Sequence, residues 1–164
     1  MGGADQGIVE DKHSSILYPP HGEGICRTIV CEGVEIIYGV DLFPPPRENA
    51  MIPEITVTDL SQKLNSDEQF ILLDVREPDE LNYAKLNDNR LEVTPMSQLA
   101  REGPKALSPS AQVQDATVYV MCHHGTRSAQ VTAWLAQQGW KNVFSVKGGI
   151  DEYARKIDNS IGFY

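Results

Sequence analysis

The chain has 164 residues, 41% of them hydrophobic, and a net charge of −9. That length holds one well-buried domain with residues to spare, and the charge argues against a surface built for nucleic acid or anionic membrane. No apolar run approaches the roughly 20 residues that span a bilayer, and no basic region followed by an apolar stretch marks a secretory signal.

Residues 1–50 carry eight acidic and three basic side chains; residues 51–164 carry fifteen and eleven. The three cysteines, Cys26, Cys31 and Cys122, do not make a disulfide framework. A free thiol implies a reducing compartment, so a cytoplasmic location is expected. Residues 1–24 are rich in glycine and proline and poor in apolar side chains, which predicts poor order. Ile25–Val30 and Val34–Tyr38 flank Cys31-Glu-Gly33 and read as a hairpin. Pro44-Pro-Pro46 reads as a stiff linker. His21, Cys26 and Cys31 lack the spacing of a zinc site, so no metal is assigned to them. Residues 1–50 are therefore taken as an extension and residues 51–164 as the domain, with Met51 as an alternative start.

From Ile52 the pattern alternates strand and helix. Ile55 to Val57 reads as a short strand, followed by a helix capped by Thr58 or Asp59 and holding Leu60 and Leu64. Phe70 to Asp74 is a continuous apolar run, as in a strand buried on both faces. It closes in Asp74-Val-Arg-Glu-Pro-Asp-Glu80. Glu80 to Leu86 reads as a short helix and Asn87 to Asn89 as a turn. Leu91 to Thr94 is a predicted strand, and Pro95 opens a helix. Arg101 to Asp115, broken by Gly103, Pro104 and Pro109, reads as a surface connection. Thr117 to Met121 is β-branched and aromatic, a buried strand.

Beyond Ser128 the apolar residues Val131, Trp134 and Leu135 fall on one helical face, and Gly139 ends that helix. Asn142 to Val146 is the last strand. Gly148-Gly149 turns into a final helix with Tyr153 on its buried side. The closing residues read as an extended tail that packs Ile161 and Phe163 back on the domain. The alternation implies a mostly parallel central sheet covered by helices on both faces, an α/β fold.

Cys122 stands where a strand ends and a helix opens. A helix start carries unpaired N–H groups and positive dipole, and consecutive N–H groups in a tight turn converge as an anion nest. Such a nest favours a negatively charged sulfur. Gly125 supplies conformational freedom and Arg127 a fixed charge.

The loop Cys122-His-His-Gly-Thr-Arg-Ser128 resembles the active loop of rhodanese-like sulfurtransferases, C-x-x-G-x-R-S. The Asp74-Val-Arg-Glu77 segment and the Gly148-Gly149 element resemble the same family, over residues 52–164. Where many members show G-H-I-x-G-A, this chain has Leu86-Asn-Asp-Asn-Arg-Leu91, which leaves the local loop shape open. The resemblance implies the three-layer rhodanese-like fold. It also implies sulfur transfer from a small-molecule donor such as thiosulfate through a persulfide on Cys122, with no cofactor and no metal. His123, His124, Gly125, Thr126, Arg127 and Ser128 would bind substrate: their backbone N–H groups hold the sulfur anion, Arg127 attracts the anionic donor or braces the loop, and Ser128 caps the helix or donates to the sulfur. Asp74 and Arg76 are expected to form a supporting ion pair. For His123 and His124 the favoured role is lining the rim. The sequence shows no third ligand for a zinc ion beside them.

Three alternatives remain at this stage. A phosphatase or arsenate reductase would use a loop one residue longer, C-x5-R rather than the C-x4-R found here. A non-catalytic rhodanese-like binding module commonly lacks the cysteine. A protein sulfur acceptor, rather than a small nucleophile, stays open.

Overall fold

The computed structural model describes residues 27–31, 34–38, 43 and 51–164. The first two segments are strands β1 (Arg27–Cys31) and β2 (Val34–Tyr38), paired antiparallel with Arg27 opposite Tyr38 and Cys31 opposite Val34. This is the expected hairpin. The predicted disorder of residues 1–24, the Pro44–Pro46 linker and the side chains of His21, Cys26 and Cys31 lie outside the described residues.

The domain is a five-stranded parallel sheet. Its strands are β3 (Glu54–Ile55), β4 (Ile71–Asp74), β5 (Leu91–Val93), β6 (Thr117–Met121) and β7 (Asn142–Val146), in the order β3-β7-β6-β4-β5. Helices α1 (Val57–Leu64), α2 (Met96–Glu102), α3 (Thr126–Gln137) and α4 (Gly149–Lys156) cover it. Alternation along β4 and β6 separates the core into two layers. Ile71, Leu73, Val118 and Val120 pack with Leu99 of α2 and with Val131, Trp134 and Leu135 of α3. Leu72, Tyr119 and Met121 pack with Val57 and Leu60 of α1 and with Ile150 and Tyr153 of α4. Every residue of β4 is buried, as its unbroken apolar run requires. No described helix is long and apolar enough to cross a membrane.

Several boundaries differ from the sequence reading, for local reasons. The first strand of the domain is Glu54–Ile55, one residue earlier than the Ile55–Val57 expected and shorter by one. Thr56, not Thr58 or Asp59, caps α1: its hydroxyl accepts from the Asp59 N–H at 3.1 Å and donates to the Asp59 carboxylate at 2.7 Å. Val57 therefore enters the helix. The helix expected over Glu80–Leu86 is a single 3-10 turn, Glu80–Asn82. In the segment that departs from the family pattern, Arg90 ends α1. It donates to the carbonyls of Lys63, Leu64, Ser66 and Glu68, satisfying a helix end that otherwise lacks partners.

The Arg101–Asp115 stretch is not only a surface connection. Helix α2 continues to Glu102, and Leu107 and Ala111 are buried in the α2–α3 layer. At the far end of the chain Ile161 packs against the opposite layer as expected, but Phe163 is 49% exposed. Tyr164, itself 37% exposed, reaches back with its hydroxyl to Arg76 and Glu80.

Phe43 lies apart in sequence yet is buried in the α2–α3 layer, edge-on to Trp134 with ring centroids 5.1 Å apart. Truncating a buried aromatic that makes such a pair costs about 3 kcal/mol. Phe43→Ala is therefore expected to lower the urea midpoint of the full chain clearly. An unchanged midpoint would mean that the contact adds nothing to stability.

Candidate active site

The site lies at the carboxyl ends of the inner strands, where ligands of open parallel sheets gather. Asp74 at the end of β4 pairs in register with Met121 at the end of β6, and the Val75 N–H donates to the Met121 carbonyl at 2.9 Å. Cys122 follows at once and is 1% exposed. The chain then turns back over its sulfur and enters α3 at Thr126. Gly125 makes this possible with φ +99°, a left-handed conformation that a side chain would resist.

Two backbone N–H groups point at Cys122 Sγ, that of Gly125 at 3.1 Å and that of Ser128 at 3.3 Å. The second belongs to the first turn of α3, whose N–H groups have no partner within the helix. The Ser128 hydroxyl stands 3.5 Å from Sγ; it donates to the Gly125 carbonyl at 3.0 Å and lies 2.9 Å from the Ser145 hydroxyl of β7. Ser128 and Ser145 are fully buried, so this pair fixes the loop from below. Helix α4 fixes it from the side: Ile150 N–H donates to the Cys122 carbonyl at 2.9 Å and Asp151 N–H to the His123 carbonyl at 3.1 Å.

Arg127 forms a two-pronged pair with Glu80, Nη1 to Oε2 at 2.6 Å and Nη2 to Oε1 at 2.5 Å. The Tyr164 hydroxyl joins the pair, donating to Glu80 Oε1 at 2.9 Å. The Arg127 guanidinium holds the Glu80 carboxyl down at about 2, against an ordinary 4.5. A depressed carboxyl stabilises the fold above its unfolded value and loses that contribution as pH falls through the folded one. Glu80→Gln should therefore flatten the acid limb of stability between about pH 4.5 and 2. Parallel acid-unfolding curves for parent and variant would show that the pair does not act this way.

Asp74 and Arg76 form the expected ion pair beneath the site, 1% and 0% exposed. Arg76 Nε lies 3.0 Å from Asp74 Oδ1 and Nη2 lies 2.6 Å from Oδ2. Nη1 reaches the Ala84 carbonyl at 2.9 Å and the Tyr164 hydroxyl at 3.3 Å. Above them His123 stacks between His124, at 3.7 Å, and Tyr164, at 3.9 Å. Burial, helped by the neighbouring His124, pushes the His123 imidazole below its usual 6.5.

The loop from Cys122 to Ser128 thus comes together as one unit, with Asp74 and Arg76 under it. Sequence reasoning missed Glu80, Ser145, Asp151 and Tyr164. Ser145 left a trace, a hydroxyl in an otherwise apolar strand. Glu80 ends the Asp74–Glu80 segment and Asp151 follows Gly148-Gly149, yet neither was given a role at the site; Tyr164 carries no motif.

Residues 56–156 match the family model of the rhodanese-like domain. The chain belongs to that family. A chloroplastic rhodanese-like/PpiC domain-containing protein 12 of Arabidopsis thaliana is 34% identical over 130 residues, 77% of this chain and 42% of the plant protein. A sulfurtransferase of Allochromatium vinosum is 35% identical over 108 residues, 64% of this chain and 91% of that one. This chain therefore spans less than half of the plant rhodanese-like relative and most of the bacterial one. Among solved structures, a rhodanese-related protein from Thermoplasma volcanium superposes with a TM-score of 0.52 at 32% identity, over 64% of this rhodanese-like chain and 93% of that one. The three-layer arrangement is the rhodanese-like fold.

Proposed function

We propose that this rhodanese-like protein is a sulfurtransferase that carries sulfane sulfur as a persulfide on Cys122. The observation that carries the reading is the aim of the Gly125 and Ser128 N–H groups at Sγ, 3.1 and 3.3 Å away within a C-x4-R loop. Fixed donors of this kind stabilise negative charge on sulfur without reorganising. The relative from Allochromatium vinosum, which bears the name sulfurtransferase, adds support.

In the proposed reaction the Cys122 thiolate attacks the outer sulfur of thiosulfate. The sulfur–sulfur bond of the donor breaks and its electron pair leaves with sulfite. Cys122 then holds Sγ–S⁻. A nucleophile such as cyanide attacks that outer sulfur, the Sγ–S bond breaks, and the thiolate returns. The backbone amides take the anion. Arg127, with both terminal nitrogens on Glu80, braces the loop. The Ser128 hydroxyl, 3.5 Å from Sγ, can turn its proton toward a charged sulfur.

Intact-mass measurement on the full chain tests this. Thiosulfate should add one sulfur atom, mapped to Cys122, and cyanide should remove it. Cys122→Ser should gain none, and a Cys26→Ser, Cys31→Ser double variant should behave like the parent. An aryl phosphate should not be turned over. Sulfur found on Cys26 or Cys31, or an unmodified Cys122 in folded protein, would overturn the reading.

A further inference from the structure

The two histidines after the nucleophile sit beside an acidic partner from another element. Among the described residues, ligand atoms of His123, His124 and Asp151 lie within 4.8 Å of one another. Asp151 belongs to the first turn of α4, about 28 positions along the chain, and only the docking of α4 on the loop brings it here.

We infer that His123, His124 and Asp151 form a binding site for a divalent transition-metal ion of the zinc class. Two atoms call for such a partner. His123 Nε2 and Asp151 Oδ1 are both buried and have no hydrogen-bond partner, a condition that buried polar atoms rarely show. The rest of each ligand is already held. Arg155 Nε donates to the other Asp151 oxygen, Oδ2, at 2.8 Å, which orients the carboxylate and leaves Oδ1 for an ion. The His123 ring is fixed by its stack on Tyr164, with planes 14° apart. The third ligand has to move: the His124 side chain is 61% exposed and its Nδ1 stands 3.8 Å from Asp151 Oδ2, but its ring is stacked on His123 at 3.7 Å and must swing off that stack before both imidazoles can face one ion.

At zinc–ligand distances of about 2.0–2.2 Å, tetrahedral ligand atoms lie roughly 3.3 Å apart. Closure from the present spread of up to 4.8 Å therefore requires the exposed His124 to turn in and the other two ligands to draw together. Two imidazoles and one carboxylate suit zinc rather than magnesium or calcium. Three protein ligands leave a fourth position open. The Cys122 sulfur is not among the three, so it keeps its two amide donors.

The inference stands apart from the sulfurtransferase reading, because its test needs no turnover. Zinc chloride is titrated into the tag-free full chain carrying Cys26→Ser and Cys31→Ser, in competition with a chromophoric chelator. One equivalent should bind. His124→Ala, at an exposed position, should weaken binding by more than about tenfold, as should Asp151→Asn. Adding Cys122→Ser should leave it unchanged. Cobalt in place of zinc should show ligand-field bands without a thiolate charge-transfer band. Absence of binding, undiminished binding in His124→Ala, loss of binding with Cys122→Ser, or a thiolate band would each overturn the site.

Discussion

Gly149→Ala is expected to cost this protein most of the proposed sulfur-transfer activity and several kcal/mol of stability. Gly149 has φ +61°, and a methyl group there would run into the carbonyl oxygens of Cys122 and His123. These are backbone atoms, held by the N–H groups of Ile150 and Asp151, so they have little room to yield. Left-handed strain costs about 1–2 kcal/mol, and two weakened hydrogen bonds cost about 1 kcal/mol each. The protein can relieve the collision only by moving α4 off the loop. That movement shifts the Gly125 and Ser128 amides away from Sγ, and loss of one such donor lowers turnover on the order of 10²–10³ in other enzymes. Thiosulfate–cyanide kinetics beside urea unfolding measures both effects. Activity within twofold of the parent would show that α4 does not position the loop.

Asp74→Ala is expected to destabilise by about 3–5 kcal/mol, because it leaves Arg76 charged, unpaired and fully buried. That is a large share of an ordinary domain's stability. The damage should spread, since Arg76 also holds the Ala84 carbonyl and the Tyr164 hydroxyl. A second variant separates pairing from packing. Replacing both partners, Asp74→Leu with Arg76→Met, removes the unpaired charge and should recover part of the loss, as apolar replacement of buried pairs often does. Urea midpoints of the single and double variants provide the comparison. A single-variant loss below about 1 kcal/mol would mean that water reaches Arg76 and solvates it.

Much of this protein was legible along the chain. The run Phe70–Asp74 announced a strand buried on both faces because neither of its faces meets water. The strand Asn142–Val146 was read to the residue, since a short β-branched and aromatic run between turn residues depends only on its own side chains. The active loop was legible for the same reason. A cysteine at a strand end, a glycine free to take positive φ and a helix opening within four residues together make a local device, and their spacing is written in sequence. The short turn at Glu80 and the length of the first domain strand were not legible. Each depends on a competing bond, from Arg127 to Glu80 in one case and from Asp59 to Thr56 in the other.

What only the tertiary structure decided is what lies around the loop. Arg127 looked like a free cation until Glu80, 47 positions away, met it. The histidine pair had no third ligand until α4 delivered Asp151. Tyr164 became part of the site because the closing turn carries it over Arg76. Sequence by itself determined the sulfur and its amides, which are neighbours along the chain. The charges and rings that surround them converge only because parallel strands bring their carboxyl ends, and the turns that follow, to one edge of the sheet.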